Sequence, residues 1–247
     1  TSLKLKTYQW FHLLADYVVA NSHSNIKIVH SINPLLSLNK CKVIYNIVDL
    51  ETWKPEVAHM PKKNGNINLV VAANHAYYKN LNCLVEAVNL LSSAEKARLK
   101  IEWYGDSIEE PYIDSSIKEA RAKIQQYKID SIFHFYPATH NLTEVFQKCD
   151  AIGLFSQFEG LPNVVCEGMA CGKTVICTAI SDLPILLKHQ SDLLCKPSDS
   201  ESLKKALSYL LALHDKELHE IGKENRMIAQ KYFDKKDKIL QYLSLMS

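Results

Sequence analysis

Short apolar runs alternate along the chain with longer stretches whose apolar residues recur at helical spacing. Tyr17-Val18-Val19-Ala20 reads as a buried strand, closed by Asn21-Ser22. A helix is predicted from about residue 23 to 36, ending at Pro34. Lys42-Val43-Ile44-Tyr45 predicts a second strand. Residues 47 to 66 carry two prolines, a lysine pair and Asn64-Gly65-Asn66, so a linker is placed at 51–66. The pattern then restarts. Strands are predicted at 67–73, 99–104, 132–135, 151–155 and 174–177, followed in turn by helices at 81–91, 115–127, 142–148, 162–171 and 183–188. Helices at 201–213, 215–231 and 235–246 fill the rest.

This alternation, with strands apolar throughout, predicts an α/β fold: a Rossmann-like parallel sheet with helices on both faces. Ligands of such sheets sit outside the carboxyl ends of the strands. Loops 74–80, 105–111, 136–141 and 156–161 are therefore the candidate site.

Composition narrows the picture. A chain of 247 residues holds one to two domains at a prior of roughly 150 residues each. Hydrophobic content of 47% with 23% charged residues excludes wholesale disorder, collagen and a disulfide scaffold. Lys plus Arg number 29 against 27 Asp plus Glu, a balance that gives no reason to expect nucleic acid as partner. No run of 18 apolar residues predicts a membrane-spanning helix, and Thr1 to Lys6 does not open a signal peptide. Seven cysteines without a C-x-x-C spacing fit free thiols in a reducing cytoplasm. Cys166 and Cys171 are expected in the core. His12, His23, His30, His134 and His140 show no ligand spacing, and no metal site is expected.

The densest chemistry lies between Phe155 and Gly172. It reads as strand, glycine-containing loop, helix. Pro162 suits the first helical turn and Gly172 the position just past the helix. The helix start then offers unpaired amides from about Leu161, Asn163 and Val164 at the positive end of its dipole, which suits a diphosphate. Glu159 precedes the helix, and Glu167 lies roughly 7–8 Å along its axis from Pro162. The two carboxylates could take sugar hydroxyls on either side of the phosphates. On residues and spacing alone, ordinary capping by acidic side chains accounts for them as well.

Glu159-Gly160-Leu161-Pro162 and Glu167-Gly168-Met169-Ala170-Cys171-Gly172 resemble the signature E-G-hydrophobic-P-x-x-x-x-E-A-M-A-x-G of retaining family-4 glycosyltransferases of the GT-B fold, with Gly168 in place of the usual Ala. The flanks resemble it too: Cys149-Asp150-Ala151 before Ser156, Thr174-Val175-Ile176 and Ile180-Ser181-Asp182-Leu183-Pro184 after it, Glu224-Asn225-Arg226 and Tyr232-Phe233 near the end. The resemblance implies that Glu167 binds the nucleotide ribose, Glu159 holds hydroxyls of the transferred sugar, and the amides after Gly160 bind the diphosphate. Lys79 matches a lysine that would stabilise the leaving nucleotide. The family's arginine in the same loop is absent, and Asn74 stands near its place. Gly105, followed by Asp106-Ser107, resembles a strand-end loop near the ligand, and Tyr136-Pro137 stands where the family contacts the base.

Ala15-Asp16-Tyr17-Val18-Val19-Ala20-Asn21-Ser22 and Val43-Ile44-Tyr45-Asn46-Ile47-Val48-Asp49 resemble the segments that close the family's N-terminal acceptor domain. Residues 1–50 are therefore expected to be the remnant of that domain, 67–230 the nucleotide-sugar donor domain and 231–247 a C-terminal helix. With Thr rather than Met at position 1, the chain is expected to be a fragment, or to work with a partner chain or a second copy covering the strand edges of the remnant. The implied activity of the parent is sugar transfer, with retention, from a nucleotide-diphosphate sugar, UDP- or GDP-linked, to a glycan or lipid-linked acceptor. No other cofactor is implied. The implied setting is bacterial polysaccharide synthesis in the cytoplasm, peripheral to the inner face of the membrane. A non-catalytic binding module with a degenerate donor site is the alternative.

Overall fold

The computed structural model describes residues 11–56, 65–106 and 114–246. Residues 57–64, half of the linker expected at 51–66, and Ser107 with the rest of the loop to 111 lie outside the described residues.

Two parallel strands, β1 (Val18–Ala20) and β2 (Cys41–Val43), flank helix α1 (His23–Ile32). Ser22 caps α1 by accepting from the Asn25 amide at 3.0 Å. The helix expected to reach residue 36 stops at Ile32, since Asn33 precedes Pro34 and leaves the helical region.

The second sheet has six parallel strands: β3 (Ile67–Ala72), β4 (Leu99–Gly105), β5 (Phe133–Pro137), β6 (Ala151–Leu154), β7 (Thr174–Thr178) and β8 (Leu194–Cys195). Their order is β5-β4-β3-β6-β7-β8, with β3 paired to both β4 and β6. Helices cover it: α2 (Leu81–Asn89), α3 (Ser93–Lys96), α4 (Ser115–Tyr127), α5 (Leu142–Lys148), α6 (Asn163–Ala170), α7 (Leu183–Leu186), α8 (Ser200–Ala212), α9 (Asp215–Tyr232) and α10 (Lys235–Leu243). Successive strand residues face opposite ways. Leu69 and Val71 of β3 pack under α2, α4 and α8, while Val70 packs with Ile152 and with Phe146 of α5. Every residue of β6 and β7 is buried, as strands covered on both faces must be.

Differences from the sequence pattern are local. β8 has two residues, too few to leave a period, and α3 is a single capped turn in which Ser92 and Glu95 bond reciprocally. The helix expected at 183–188 ends at Leu186 and gives way to a 3-10 segment, Lys188–Leu193. Gly105, Tyr136 and Pro137, expected in loops, end strands β4 and β5, with Gly105 opposite Pro137. Tyr136 stacks on Tyr104 at 4.8 Å, which holds the strands together to that point. The C-terminal stretch breaks at Phe233, which is fully buried beside Tyr45. Among the described residues no helix is long and apolar enough to cross a membrane.

The two-stranded unit rests directly on the six-stranded one. Trp53 packs against Phe146 with ring centroids 5.5 Å apart, and Gln147 Nε2 donates to the Lys54 carbonyl at 3.0 Å, so Trp53 and Lys54 lie on the larger unit. The side chain of Asp182, 1% exposed, accepts from the His23 amide at 2.8 Å, the Ser24 amide at 3.1 Å, Tyr45 Oη at 3.0 Å and lies 2.7 Å from His23 Nδ1. It thereby caps α1 from the other unit. Burial pushes its pKa up, and the His23, Ser24 and Tyr45 donors more than offset this, so the carboxyl titrates below its ordinary range.

Replacing this carboxylate leaves two helix amides and a buried phenol without an acceptor. Asp182→Ala is expected to lower stability by about 3 kcal/mol at neutral pH, read as a fall in melting temperature. Because the folded-state pKa is depressed, the native contribution is complete above the ordinary carboxylate pKa and is lost as pH falls through the folded value. The gap between native and Asp182→Ala melts should therefore narrow in acid. An unchanged gap at neutral pH and pH 3 would contradict this role.

Candidate functional site

Strands β3 and β6 lie side by side, yet the chain leaves them in opposite directions, β3 toward β4 and β6 toward β7. The loops after them diverge and open a crevice at their carboxyl ends. After β3, the Ala73 carbonyl accepts from Trp103 Nε1 at 2.8 Å. Tyr77–Lys79 form one 3-10 turn, and Asn80 ends it at φ 67°, a left-handed conformation that asparagine tolerates. This turn aims Lys79 back across the crevice. The loop after β6 meets it there: the Gln157 amide donates to the Tyr78 carbonyl at 2.8 Å, and the Tyr78 and Phe158 rings stack at 5.1 Å.

Lys79 and Glu159, separated by 80 residues in the chain, are thus brought into contact. Lys79 Nζ lies 2.5 Å from Glu159 Oε1, with both side chains largely buried. Ser156 Oγ donates to the same oxygen at 2.8 Å. The Ser156 carbonyl is held in turn by Thr178 Oγ1 at 2.7 Å. Oε2 of Glu159 has no partner among the described residues, so the carboxylate can orient the lysine and still accept another hydrogen bond.

Helix α6 starts beside this pair. Pro162, expected inside the first turn, occupies the N-cap with φ −75° and ψ 121°, and the helix begins at Asn163. An extended ψ cannot continue a helix, which moves the start by one residue. Proline offers no capping side chain, so among the described residues the first-turn amides of Asn163 and Val164 have no acceptor. They form an electropositive end suited to an anion. Leu161 is buried, with its carbonyl accepting from Asn46 Nδ2 at 2.9 Å. Gly160 faces Asn21 and Asn25, whose amide atoms lie 3.1–3.3 Å from where a Cβ would stand.

Glu167 lies on α6 and is half-buried. Burial raises its pKa, and its carboxyl has no hydrogen-bond partner among the described residues. It is an acceptor waiting for donors. Gly168 has a packing reason: a Cβ there would stand 2.9 Å from Ile152 Cγ1, because α6 lies close on β6. Gly172 takes φ 67° just past the helix, as expected. Cys166 and Cys171 are buried in the core.

Other expected positions take lesser places. Asn74 is exposed and accepts from the Ala76 amide at 3.4 Å, shaping the loop and adding no charge where the arginine was looked for. Gly105 lies against Ala73 and His75, where a Cβ would overlap the Ala73 carbonyl. Tyr136 and Pro137 are exposed at the end of β5, on the same edge of the sheet as Lys79 and Glu159. Sequence reading passed over His75, which is fully buried near Trp103 and Phe135 and, among the described residues, has no partner at either ring nitrogen. It weighed His23 and found it no partner, because its carboxylate, Asp182, is 159 residues away. No spacing signal reaches that far.

A family model for glycosyl transferases group 1 matches residues 55–228. N-acetyl-alpha-D-glucosaminyl L-malate synthase of Bacillus anthracis is 26% identical over 236 residues, covering 92% of this chain and 58% of that protein. N-acetylgalactosamine-N,N'-diacetylbacillosaminyl-diphospho-undecaprenol 4-alpha-N-acetylgalactosaminyltransferase of Campylobacter jejuni is 27% identical over 165 residues, covering 66% of this chain and 41% of that protein. The chain thus spans between two-fifths and three-fifths of the length of these curated relatives. Among solved structures, Anabaena Alr3699/HepE in complex with UDP and glucose superposes with a TM-score of 0.81 at 18% identity, over 98% of this chain and 67% of that one. The fold is that of the GT-B glycosyltransferases.

A carboxylate whose burial is uncompensated destabilises the folded state. Because the folded-state pKa of Glu167 is raised, this cost is full above it and vanishes as pH falls toward the ordinary glutamate value of 4.5. Glu167→Gln is expected to melt higher than the native chain at pH 8 and to lose that advantage at pH 4. A variant that melts lower than native at pH 8 would contradict an unpartnered Glu167.

Proposed function

We propose that this chain, which belongs to the glycosyl transferases group 1, forms the donor-binding part of a retaining glycosyltransferase. The observation that carries this reading is the Lys79–Glu159 pair, set across the crevice beside the uncapped start of α6. A diphosphate placed there meets the amides of Asn163 and Val164 and the remaining protons of the Lys79 ammonium. Glu159 Oε2 accepts a hydroxyl of the transferred sugar. Glu167 accepts the ribose hydroxyls, which would relieve its unpartnered burial. Tyr136 and Pro137, with Gly105, border the space for the base.

In the proposed reaction the bond between the anomeric carbon and the phosphate oxygen breaks, the acceptor hydroxyl attacks from the same face, and its proton passes to the departing diphosphate. Negative charge gathers on the departing diphosphate, where Lys79 and the helix end stabilise it. The donor is UDP- or GDP-linked, and the Anabaena neighbour, solved with UDP and glucose, supports this. Catalysis is proposed for the whole protein, with a glycan or lipid-linked acceptor held by an N-terminal domain, and donor binding alone for this chain. Bacterial glycan synthesis at the inner face of the membrane is proposed with the Campylobacter relative, whose name gives a diphospho-undecaprenol-linked acceptor, in its support; the name of the Bacillus relative gives L-malate instead. Asn74 in the arginine's place favours a second reading, a non-catalytic module with a weakened phosphate site.

Calorimetric titration of the chain with UDP, GDP and ADP tests donor binding. One nucleotide is expected to bind, and both Glu167→Ala and Lys79→Ala should weaken it by about tenfold, the worth of a charge-assisted hydrogen bond. A folded chain that binds none of the three would overturn donor binding.

A further inference from the structure

The start of α6 carries the proposed phosphate site, yet nothing within the helix itself fixes how the chain enters it. Pro162 lacks both an N–H and a capping side chain. The residues on either side of Pro162 are held from elsewhere. Asn46 Nδ2 donates to the Leu161 carbonyl at 2.9 Å and to Asn163 Oδ1 at 2.6 Å, over 115 and 117 residues. Asn46 Oδ1 accepts from Asn21 Nδ2 at 3.1 Å, and Asn21 Oδ1 accepts from Asn25 Nδ2 at 2.9 Å. The three carboxamides therefore all donate in one direction, from α1 toward α6. Such a chain polarises each bond in it. Asn21 and Asn25 also lie against Gly160, so the carboxamides flank the whole turn from Gly160 to Asn163.

We infer that Asn46 is a positioning residue of the donor site. Through its two donated bonds it holds the α6 entry so that the first-turn amides face the phosphates, and it ties that geometry to the two-stranded unit. The inference rests on the proposed donor site and deepens it. Asn46 touches no ligand in this scheme. It acts on the diphosphate through Leu161 and Asn163, and leaves the nucleoside, bound further along the sheet edge, unaffected.

The test separates these two parts of one ligand. Dissociation constants of UDP, GDP and ADP are measured by calorimetry, and those of uridine, guanosine and adenosine by ligand-observed NMR. Asn46→Asp keeps the shape and the acceptor for Asn21 but has no amide to donate. Asn46→Asp is expected to weaken the bound diphosphate about tenfold while its nucleoside changes less than about twofold. Asn163→Ala, an exposed site that removes one of the two acceptors, should weaken the diphosphate about threefold with the same selectivity. A purely packing role would be rescued by the isosteric aspartate, or would shift diphosphate and nucleoside together. Either result overturns the inference while leaving the donor site standing. Failure of the native chain to bind any diphosphate overturns the donor site and this assignment with it.

Discussion

Two parallel strands side by side, β3 and β6, whose continuations run to opposite edges of the sheet, set the conditions for the rest of the site. Parallel strands need crossovers, and right-handed crossovers carry the chain to opposite faces on the two sides of such a pair. The loops that follow cannot run together, so a crevice opens between them. The backbone bond from Gln157 to Tyr78 spans that crevice and sets its width. Lys79 and Glu159 meet because their loops are fixed by this bond and by the stacking of Tyr78 on Phe158 beside it.

The charges are arranged with little waste. Glu159 spends one oxygen on Lys79 and Ser156 and keeps the other open. The α6 end adds partial positive charge without a side chain. Glu167 stands on the same helix with its ionised form disfavoured by burial. A ligand that brings phosphates to one end and hydroxyls to the other satisfies all three at once. On the proposed reading a nucleotide sugar suits this arrangement better than a simple anion, which would leave both carboxylates facing it.

The small unit is part of this arrangement. Asp182 of the large unit caps α1, and Asn46 of the small unit holds the entry to α6. Asp182 thus completes the start of α1, whereas Asn46 holds the turn into α6 and leaves its first-turn amides open. Val48 and Phe233 share a further backbone bond, and Arg226 Nη1 donates to the Trp53 and Ala170 carbonyls, closing the seam from the far side. Helix ends are where backbone groups lack partners, so a contact made there is specific in direction as well as position.

The order of strands and helices was legible in the residues, because strands buried on both faces must be apolar throughout and helices must show one apolar stripe. Glu159, Glu167 and the α6 entry were legible for the same local reason: strand, loop and helix start lie within one short stretch. Lys79 was legible from its residues only as a loop lysine, and its candidate role came from the family resemblance. What only the tertiary structure decided was which distant groups meet. Lys79 with Glu159, Asp182 with His23, and Asn46 with Leu161 and Asn163 are separated by 80 to 159 residues, and no periodicity spans such distances. Strand ends at Gly105 and Pro137, and the short β8, likewise depended on a neighbour: a strand extends as far as its partner offers hydrogen bonds and stacking, and a sequence read alone contains the strand but not the partner's reach.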